Sequence, residues 1–581
     1  MSRMLKKYCL TTITDIYGCQ WKKKQSKSNK KRESIWFIVL SCGFALSIFW
    51  FYCWWALLND YSNLNEHFFG FIHRWLDWSV ILLFLAATIF SYLFLLMILA
   101  VCHFVLREPL YLHWINKVAM LVCIFLILVL MIVIRIQWKE EWDAIHLSIQ
   151  VTAPFFHIGA VAGVTIVAWF IVEHILQSKK RVFQIVLSIF YLGVVIFLYL
   201  IPLAISSPCI IENEYLGPKP ALMGHRGAPM LAPENTLMSF EKTVECNAST
   251  FETDVQISFD GVPFLMHDNT FERTTDIKEK FPKRVNDESS SFTWAEIQQL
   301  NAGEWFLKKK PYNTVQSLPK ETQQIAEQQK VSSLAEVLKL AKKTKKYVIF
   351  DLRTPSNRSH PYYNTSHNAV IETILNSTID HNQILWLPNH KNSTPPGFQQ
   401  VLGEKLDPEK LQQDKIHIIN IRYSNISEAE IRKYATANIS TNVYVVNERW
   451  VFSTLWCAKV KSVTTNACHI FNEMAVPIWH LKSHYGGNFP VCWRKCGNLK
   501  ADYYRVLWDC PVIKDLWREL HNALHYIFKC HVPLESETMF FGLVPEDWRK
   551  KDKYLLNILM IAYKKALTKK WLSQESPTLN A

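Results

Sequence analysis

The spacing of apolar residues divides the chain into two regimes. Between residues 35 and 205 apolar side chains run almost unbroken and charge is confined to short clusters. Residues 209–581 instead mix polar and apolar positions as water-exposed protein does. In the first regime five runs are long enough to cross a bilayer: Ile35–Leu58, Trp78–Leu106, Trp114–Ile136, Leu147–Val172 and Val182–Ile205. A helical crossing takes about twenty mostly apolar residues, because backbone polar groups in hydrocarbon must be satisfied within the segment. Trp36, Trp78 and Trp114 lie near the ends of runs, where an amphipathic ring favours the interface. A soluble bundle would need five successive helices apolar on every face, so a membrane bundle is predicted.

From Ala221 to Pro477 short apolar strands alternate with stretches whose apolar residues fall three or four apart. The strands are ALMGH, TFETDVQI, VPFLMHD, KYVIFDL, QILWL, KIHIINI, NVYVV and KSVTT; the helical patterns include NTLMSFEKTVE, SLAEVLKLAKK, NAVIETILN and SEAEIRKYA. Eight strands alternating with helices over about 250 residues predict a (β/α)8 TIM barrel, with an open doubly wound sheet as the competitor. Past Lys482 the pattern fades, and the best apolar run, YLLNILMIAY, is too short to span. The organisation predicted is a basic N-terminal segment (1–34), five transmembrane helices (35–205), a barrel domain (221–480) and a small irregular C-terminal tail (482–581).

Charge refines this picture. The formal net charge is +14, but the placement of Lys22, Lys23, Lys24, Lys27, Lys30, Lys31 and Arg32 ahead of the first run is that of membrane-flanking residues rather than of a nucleic-acid surface. Arg107, Lys117, Lys179, Lys180 and Arg181 collect in the connections after the second and fourth runs, which puts the N-terminus on the cytoplasmic side. Five crossings then place everything after Ile205 outside the cytoplasm, extracellular or lumenal. The acceptor pattern for N-glycosylation agrees: Asn247, Asn357, Asn364, Asn376, Asn392, Asn425 and Asn438 all lie between the last run and residue 440. No cleavable signal peptide is discernible, and the first span doubles as the targeting signal. Among fourteen cysteines, Cys209, Cys246, Cys457 and Cys468 fall in or beside the barrel region. Some of these would pair in an oxidising compartment, but their spacing does not say which.

The chemistry-bearing residues fall at the ends of predicted strands, where a barrel gathers its reactive groups. His225 and Arg226 end the first strand; Glu252 and Asp254, two apart, face the same side of the second. His267 and Asp268 end the third, and Asp351 with Arg353 the fourth. Three carboxylates, Glu252, Asp254 and Asp351, offer hard oxygen ligands to Mg²⁺ or Ca²⁺. Two histidines suit acid and base roles, and a guanidinium suits phosphate. Singly each has a bland explanation; their joint placement at successive strand ends carries the hypothesis. Gly227 would permit a tight turn after His225 and Arg226, and Asn235 or Thr236 would cap the following helix.

HRGAPMLAPENT, FETDVQISFDGVPFLMHDNTFERTT and VIFDLR, with VYVVNERW and SVTTNACHIF further on, resemble the glycerophosphodiester phosphodiesterase family over about residues 225–480, and with the preceding bundle its multi-span, outward-facing branch. The resemblance implies a divalent-metal phosphodiesterase acting on glycerophosphodiesters, or on glycerophosphoinositol or GPI-type substrates. It implies His225 and His267 as the acid-base pair, Arg226 and Arg353 as phosphate contacts, and Glu252, Asp254 and Asp351 as metal ligands. Asp351 stands where the family usually has Glu, and Arg353 where many members have Lys. The alternative from another class is a receptor or binding protein whose barrel is catalytically silent; the presence of both histidines with the acidic pair argues for the enzyme. A transporter would draw on little more than Pro154 and His157 in the fourth run.

The tail resembles the C-terminal end of LINE-type reverse transcriptases in CWRKC, LWDCPVIKDLW and AYKKALTKKW, without polymerase motifs. Cys492, Cys496, Cys510 and His521 form an irregular candidate zinc knuckle. No nucleic-acid partner is expected, since a tail outside the cytoplasm meets no chromatin.

Overall fold

The computed structural model describes residues 30–477 apart from breaks at 106–111, 138, 179–180, 204–215 and 389–393. In the tail it describes 511–529 and scattered positions to 559. Among the described residues six α-helices precede the barrel: α1 (Lys30–Ala56), α2 (Tyr61–Ile72), α3 (Trp78–Val105), α4 (Trp114–Gln137), α5 (Lys139–Gln177) and α6 (Arg181–Leu200). Four apolar helical stretches within them, Ile35–Ile72, Trp78–Val101, Trp114–Ile136 and Trp142–Glu173, are long enough to cross a membrane. The fifth expected span is α6, whose apolar stretch Gln184–Leu200 is shorter. Phe84, Phe125 and Phe190 turn outward and stay exposed, as side chains facing lipid do and as side chains facing water rarely do in such numbers. His157 donates to the carbonyl of Leu198 at 2.8 Å and so ties α5 to α6, a structural use rather than the lining of a transport path.

The short helix α2 has no counterpart among the predicted elements. It fills the connection between the first two spans and ends where His73 takes a left-handed conformation (φ 54°).

Downstream, eight parallel strands close into a barrel: β1 (Ala221–Gly224), β2 (Thr250–Ile257), β4 (Tyr347–Leu352), β5 (Ile384–Trp386), β6 (Gln399–Leu402), β7 (Ile418–Arg422), β8 (Ser440–Tyr444) and β9 (Ser462–Thr465). Pairing of β1 with both β9 and β2 shuts the sheet and rules out the open alternative. One strand assignment is corrected. VPFLMHD supplies β3 (Pro263–Leu265), which runs antiparallel beside β2 and lies outside the barrel. The missing member is β6, the polar sequence QQVL, whose pattern carries too few apolar residues to read as a strand.

Helices α7 (Leu237–Glu245), α8 (Leu334–Thr344), α9 (Ser366–Asn376), α10 (Pro408–Gln413), α11 (Glu428–Thr436), α12 (Arg449–Cys457) and α13 (Cys468–Asn472) pack outside the sheet. Thr236 caps α7, and Ser333 and Ser427 head capping boxes with Glu336 and Glu430 on α8 and α11. Alternation along each strand sorts the faces. Phe251 and Val255 of β2 and Val348 and Phe350 of β4 join the helix-covered core. Met223, Ile349, Leu385 and Val401 make a separate small cluster, one residue from each of four strands. A disulfide between Cys246, at the end of α7, and Cys468, at the start of α13, links the first and last βα units, 222 residues apart. The segment between β3 and α8 is a long insertion of short helices.

In the tail, helix α14 (Pro511–Phe528) is amphipathic. His521 donates to the carbonyl of Val532 at 2.7 Å, while Cys492, Cys496 and Cys510 lie outside the described residues, as do Cys209, Asn392 and the first twenty-nine residues.

Candidate active site

β1 stops because the backbone turns back at its end, with Arg226 at φ 52° and Gly227 at φ 88°. Glycine is required at 227, since a Cβ there would sit 2.4 Å from the Ser239 hydroxyl. That hydroxyl pins the turn: it accepts from the Ala228 N–H at 2.8 Å and donates to the Arg226 carbonyl at 3.1 Å. The Arg226 N–H in turn donates to Glu252 Oε2 at 2.8 Å. Backbone strain of this kind, held by surrounding bonds, is characteristic of functional loops.

His225 donates from Nδ1 to Asn466 Oδ1, just after β9, at 2.7 Å, which leaves its lone pair on Nε2. Desolvation, and then the charge of Arg226, push its pKa down to about 3, so the ring is neutral near pH 7. His267, in the loop after β3, donates from Nδ1 to Asp268 Oδ1 at 2.8 Å. Asp268 accepts also from Arg273, at 2.6 Å from Nε and 2.9 Å from Nη2. Burial raises the pKa of Asp268, but Arg273 and His267 outweigh it and hold this carboxyl well below its usual range.

Arg226 and Arg273 share a carboxylate. Glu234 receives Arg226 Nη1 at 3.1 Å and Arg273 at 3.0 and 2.6 Å. Burial opposes its charge, yet Arg273 and then Arg226 draw its pKa down to about 2. A second carboxylate on Arg226 comes from the membrane half: Glu66 of α2 accepts from Nη1 at 3.2 and 3.3 Å.

His225, Arg226, Glu252, Asp254, His267, Asp351 and Arg353 all line one cavity of about 1140 Å³ at the C-terminal ends of the strands. Asp268 lines the same cavity, so all eight residues expected at strand ends are brought together. Glu252 is raised well above the carboxylate range, by burial and then by the charge of Asp254. Asp254 is drawn to about 2 in spite of burial, by His267, Arg226 and Arg353. Asn235 fixes it, donating from Nδ2 to its Oδ2 at 3.0 Å and accepting from Thr253 at 3.0 Å.

The acidic trio agrees in chemistry with a hard divalent cation, whose charge would offset the repulsion from Asp254 that helps to raise the Glu252 pKa. Yet among the described residues no three His, Cys, Asp or Glu side chains converge closely enough to hold an ion. Arg353 Nη2 stands between two of the expected ligands, 3.6 Å from Asp254 Oδ1 and 3.4 Å from Asp351 Oδ2. Arg353 is thus paired with two of the three carboxylates that would hold such an ion.

Sequence reasoning missed Glu234, Asn235 as a ligand-orienting side chain, Arg273, Asn466 and Glu66. The first four stand inside the conspicuous stretches APENT, FERTT and TTNAC and were within reach of it. Glu66 was not, because nothing local marks a carboxylate between two spans as belonging to a site 160 residues away.

Six of the seven asparagines in the Asn-x-Ser/Thr pattern are described, and Asn247, Asn357, Asn364, Asn376, Asn425 and Asn438 are all exposed.

Residues 225–470 match the glycerophosphoryl diester phosphodiesterase family. Over 477 residues, 81% of this chain and 79% of the relative, the sequence is 43% identical to glycerophosphodiester phosphodiesterase domain-containing protein 5 of Gallus gallus. It is 42% identical to glycerophosphoinositol inositolphosphodiesterase GDPD2 of Mus musculus, covering 80% of this chain and 87% of that one. Identity to domain-containing protein 4 of Mus musculus is 36%, over 82% and 81% of the two chains. These comparisons lend no support to the reverse-transcriptase likeness of the tail.

Proposed function

Because the chain belongs to the glycerophosphoryl diester phosphodiesterase family and is a glycerophosphodiester phosphodiesterase with a (β/α)8 barrel, we propose that it is a membrane-anchored enzyme whose catalytic domain faces the extracellular or lumenal side and works by histidine acid-base catalysis. The observation that carries this is the meeting of two differently prepared imidazoles, His225 and His267, in one cavity with Arg226 and three carboxylates. His225, neutral and with Nε2 unprotonated, suits the base. It takes the proton of a substrate hydroxyl as that oxygen closes on phosphorus. His267, oriented by Asp268, suits the acid and gives a proton to the oxygen of the departing alcohol as its bond to phosphorus breaks. Water then opens the cyclic phosphate with the two roles reversed.

Arg226 and Arg353 contact the phosphoryl oxygens, where a planar fork matches two acceptors. Glu252, Asp254 and Asp351 would hold a Mg²⁺ or Ca²⁺ ion, which when bound supplies charge stabilisation to those oxygens. The substrate is a glycerophosphodiester, with glycerophosphoinositol favoured by the name of one relative and a GPI-type headgroup compatible with a site beside the membrane helices. Exposure of the described sequons and the Cys246–Cys468 bridge support an oxidising, glycosylating compartment.

The test incubates the full-length protein with a panel of glycerophosphodiesters, with and without chelator, beside His225→Ala and His267→Ala. Each substitution is expected to lower kcat by about 10²–10⁴-fold, and chelation to abolish turnover. Activity indifferent to both histidines would discard the mechanism.

A further inference from the structure

We propose that the active site is completed from the membrane half of the chain: Glu66, on the short helix α2 between the first two apolar spans, is a positioning residue for Arg226 of the barrel. This rests on the assignment of Arg226 to phosphate made above. Three observations support it. First, α2 forms one wall of the catalytic cavity, contributing Asn63, Glu66, His67, Phe69 and Gly70, with His73 just past its end. Second, both Glu66 oxygens accept from Nη1 of Arg226, at 3.2 and 3.3 Å, and Oε1 lies 3.6 Å from Nη1 of Arg273. The guanidinium of Arg226 is only 6% exposed, and Glu66 only 16%. Glu66 and Glu234 thus clamp one edge of the guanidinium from opposite halves of the molecule, while among the described residues Nη2 carries no hydrogen bond. Nε of Arg226 lies 3.4 Å from Asp254 Oδ2, so the fork is held by carboxylates on both sides and only Nη2 is left for an anion in the cavity.

Third, α2 is fastened to the barrel rim at both ends. Just before it, Asn59 donates to the Val445 carbonyl at 2.9 Å and accepts from the N–H groups of Asn447 and Glu448 at 2.7 and 3.0 Å. The carboxylate of Asp60 receives the Tyr423 hydroxyl. At its far end His73 pairs with Glu272 at 2.7 Å, and the Lys309 ammonium sits 4.9 Å above the Phe69 ring. A helix so seated can hold a carboxylate to within the tolerance that catalysis demands, and a misplacement of about 1 Å in such a group costs on the order of 100-fold in rate.

The alternative role is that of a plug, in which Glu66 occupies the place of the substrate's phosphate and must be displaced. The two roles predict opposite signs. In the full-length protein in detergent, with the glycerophosphodiester turned over fastest in the panel, Glu66→Gln is expected to lower kcat by about 10- to 100-fold. KM should change by less than about threefold. Glu66→Asp, which keeps the charge on a shorter arm, should recover part of the loss. In an Arg226→Lys background, Glu66→Gln should add little, because the partner is already gone. Unchanged thermal midpoints identify the effect as one on the site; if Glu66→Gln does not fold, Glu66→Asp and the Arg226→Lys pair with it decide.

A kcat that is unchanged or raised in Glu66→Gln overturns the proposal, as does a full multiplicative loss in the double variant. Wild-type activity in Arg226→Ala would instead remove the phosphate assignment, and this proposal with it. Loss in Arg226→Ala with full activity in Glu66→Gln removes this proposal alone.

Discussion

Glu234 shows how a buried charge ties stability to pH. Its carboxylate lies between Arg226 and Arg273, and their charges bring its pKa to about 2, below the ordinary value of 4.5. A group depressed in this way stabilises the fold above its unfolded pKa, and that contribution disappears as pH falls toward the folded one. The thermal midpoint of the full-length protein is therefore expected to drop between about pH 4.5 and pH 2. The drop should be shallower in Glu234→Gln, which has no proton to take up; equal slopes in the two proteins would contradict the account. Arg226 illustrates a second point at this scale. Its left-handed backbone and its engaged Nη1 edge are consequences of neighbours, so the sequence displays the residue type but not the direction in which its fork is aimed.

Among the elements, legibility followed burial pattern. β2 and β4 were readable because hydrophobic and functional residues alternate on them, and Glu252, Asp254 and Asp351 fell where the alternation put them. β3 misled for the same reason: Pro263–Leu265 is fully buried, so its apolar run is indistinguishable from a barrel strand until its antiparallel partner is seen. β6 was invisible because two of its four residues are glutamines that bond to main chain rather than pack. The helix α2 escaped because its sequence, YSNLNEHFFGFI, is half polar and lies between two spans, where a loop is the natural assumption. Its docking can be tested through Asn59, which is fully buried. Asn59→Ala leaves two backbone N–H groups and a carbonyl on the barrel rim without partners, at a cost of about 1–3 kcal/mol. The expected result is a lower thermal midpoint in detergent; no change would mean that α2 is not held by these bonds.

At the scale of the whole molecule, the division into apolar bundle and barrel was legible from composition, because lipid and water select opposite surfaces. The joining of the two was not, since it depends on contacts such as Asn59 with Asn447 that link distant residues without any local signal. The orientation proposed for the barrel predicts that it is glycosylated. Endoglycosidase should raise the gel mobility of protein made in a secretory cell, and stepwise Asn→Gln replacement of all seven sequons should abolish that shift. Protein that resists glycosidase and is digested by protease added to the cytoplasmic side of intact vesicles would reverse the topology.

The bridge from Cys246 to Cys468 gives the catalytic part a ring-like connectivity, since the chain that leaves one cysteine returns to the other 222 residues later. A single cut anywhere in the intervening loops would therefore open the ring without releasing a piece. The nicked product is expected to migrate as one species on a denaturing gel and to fall into two only after reductant is added. Under proteolysis, such a covalent hoop would confine damage to the severed loop.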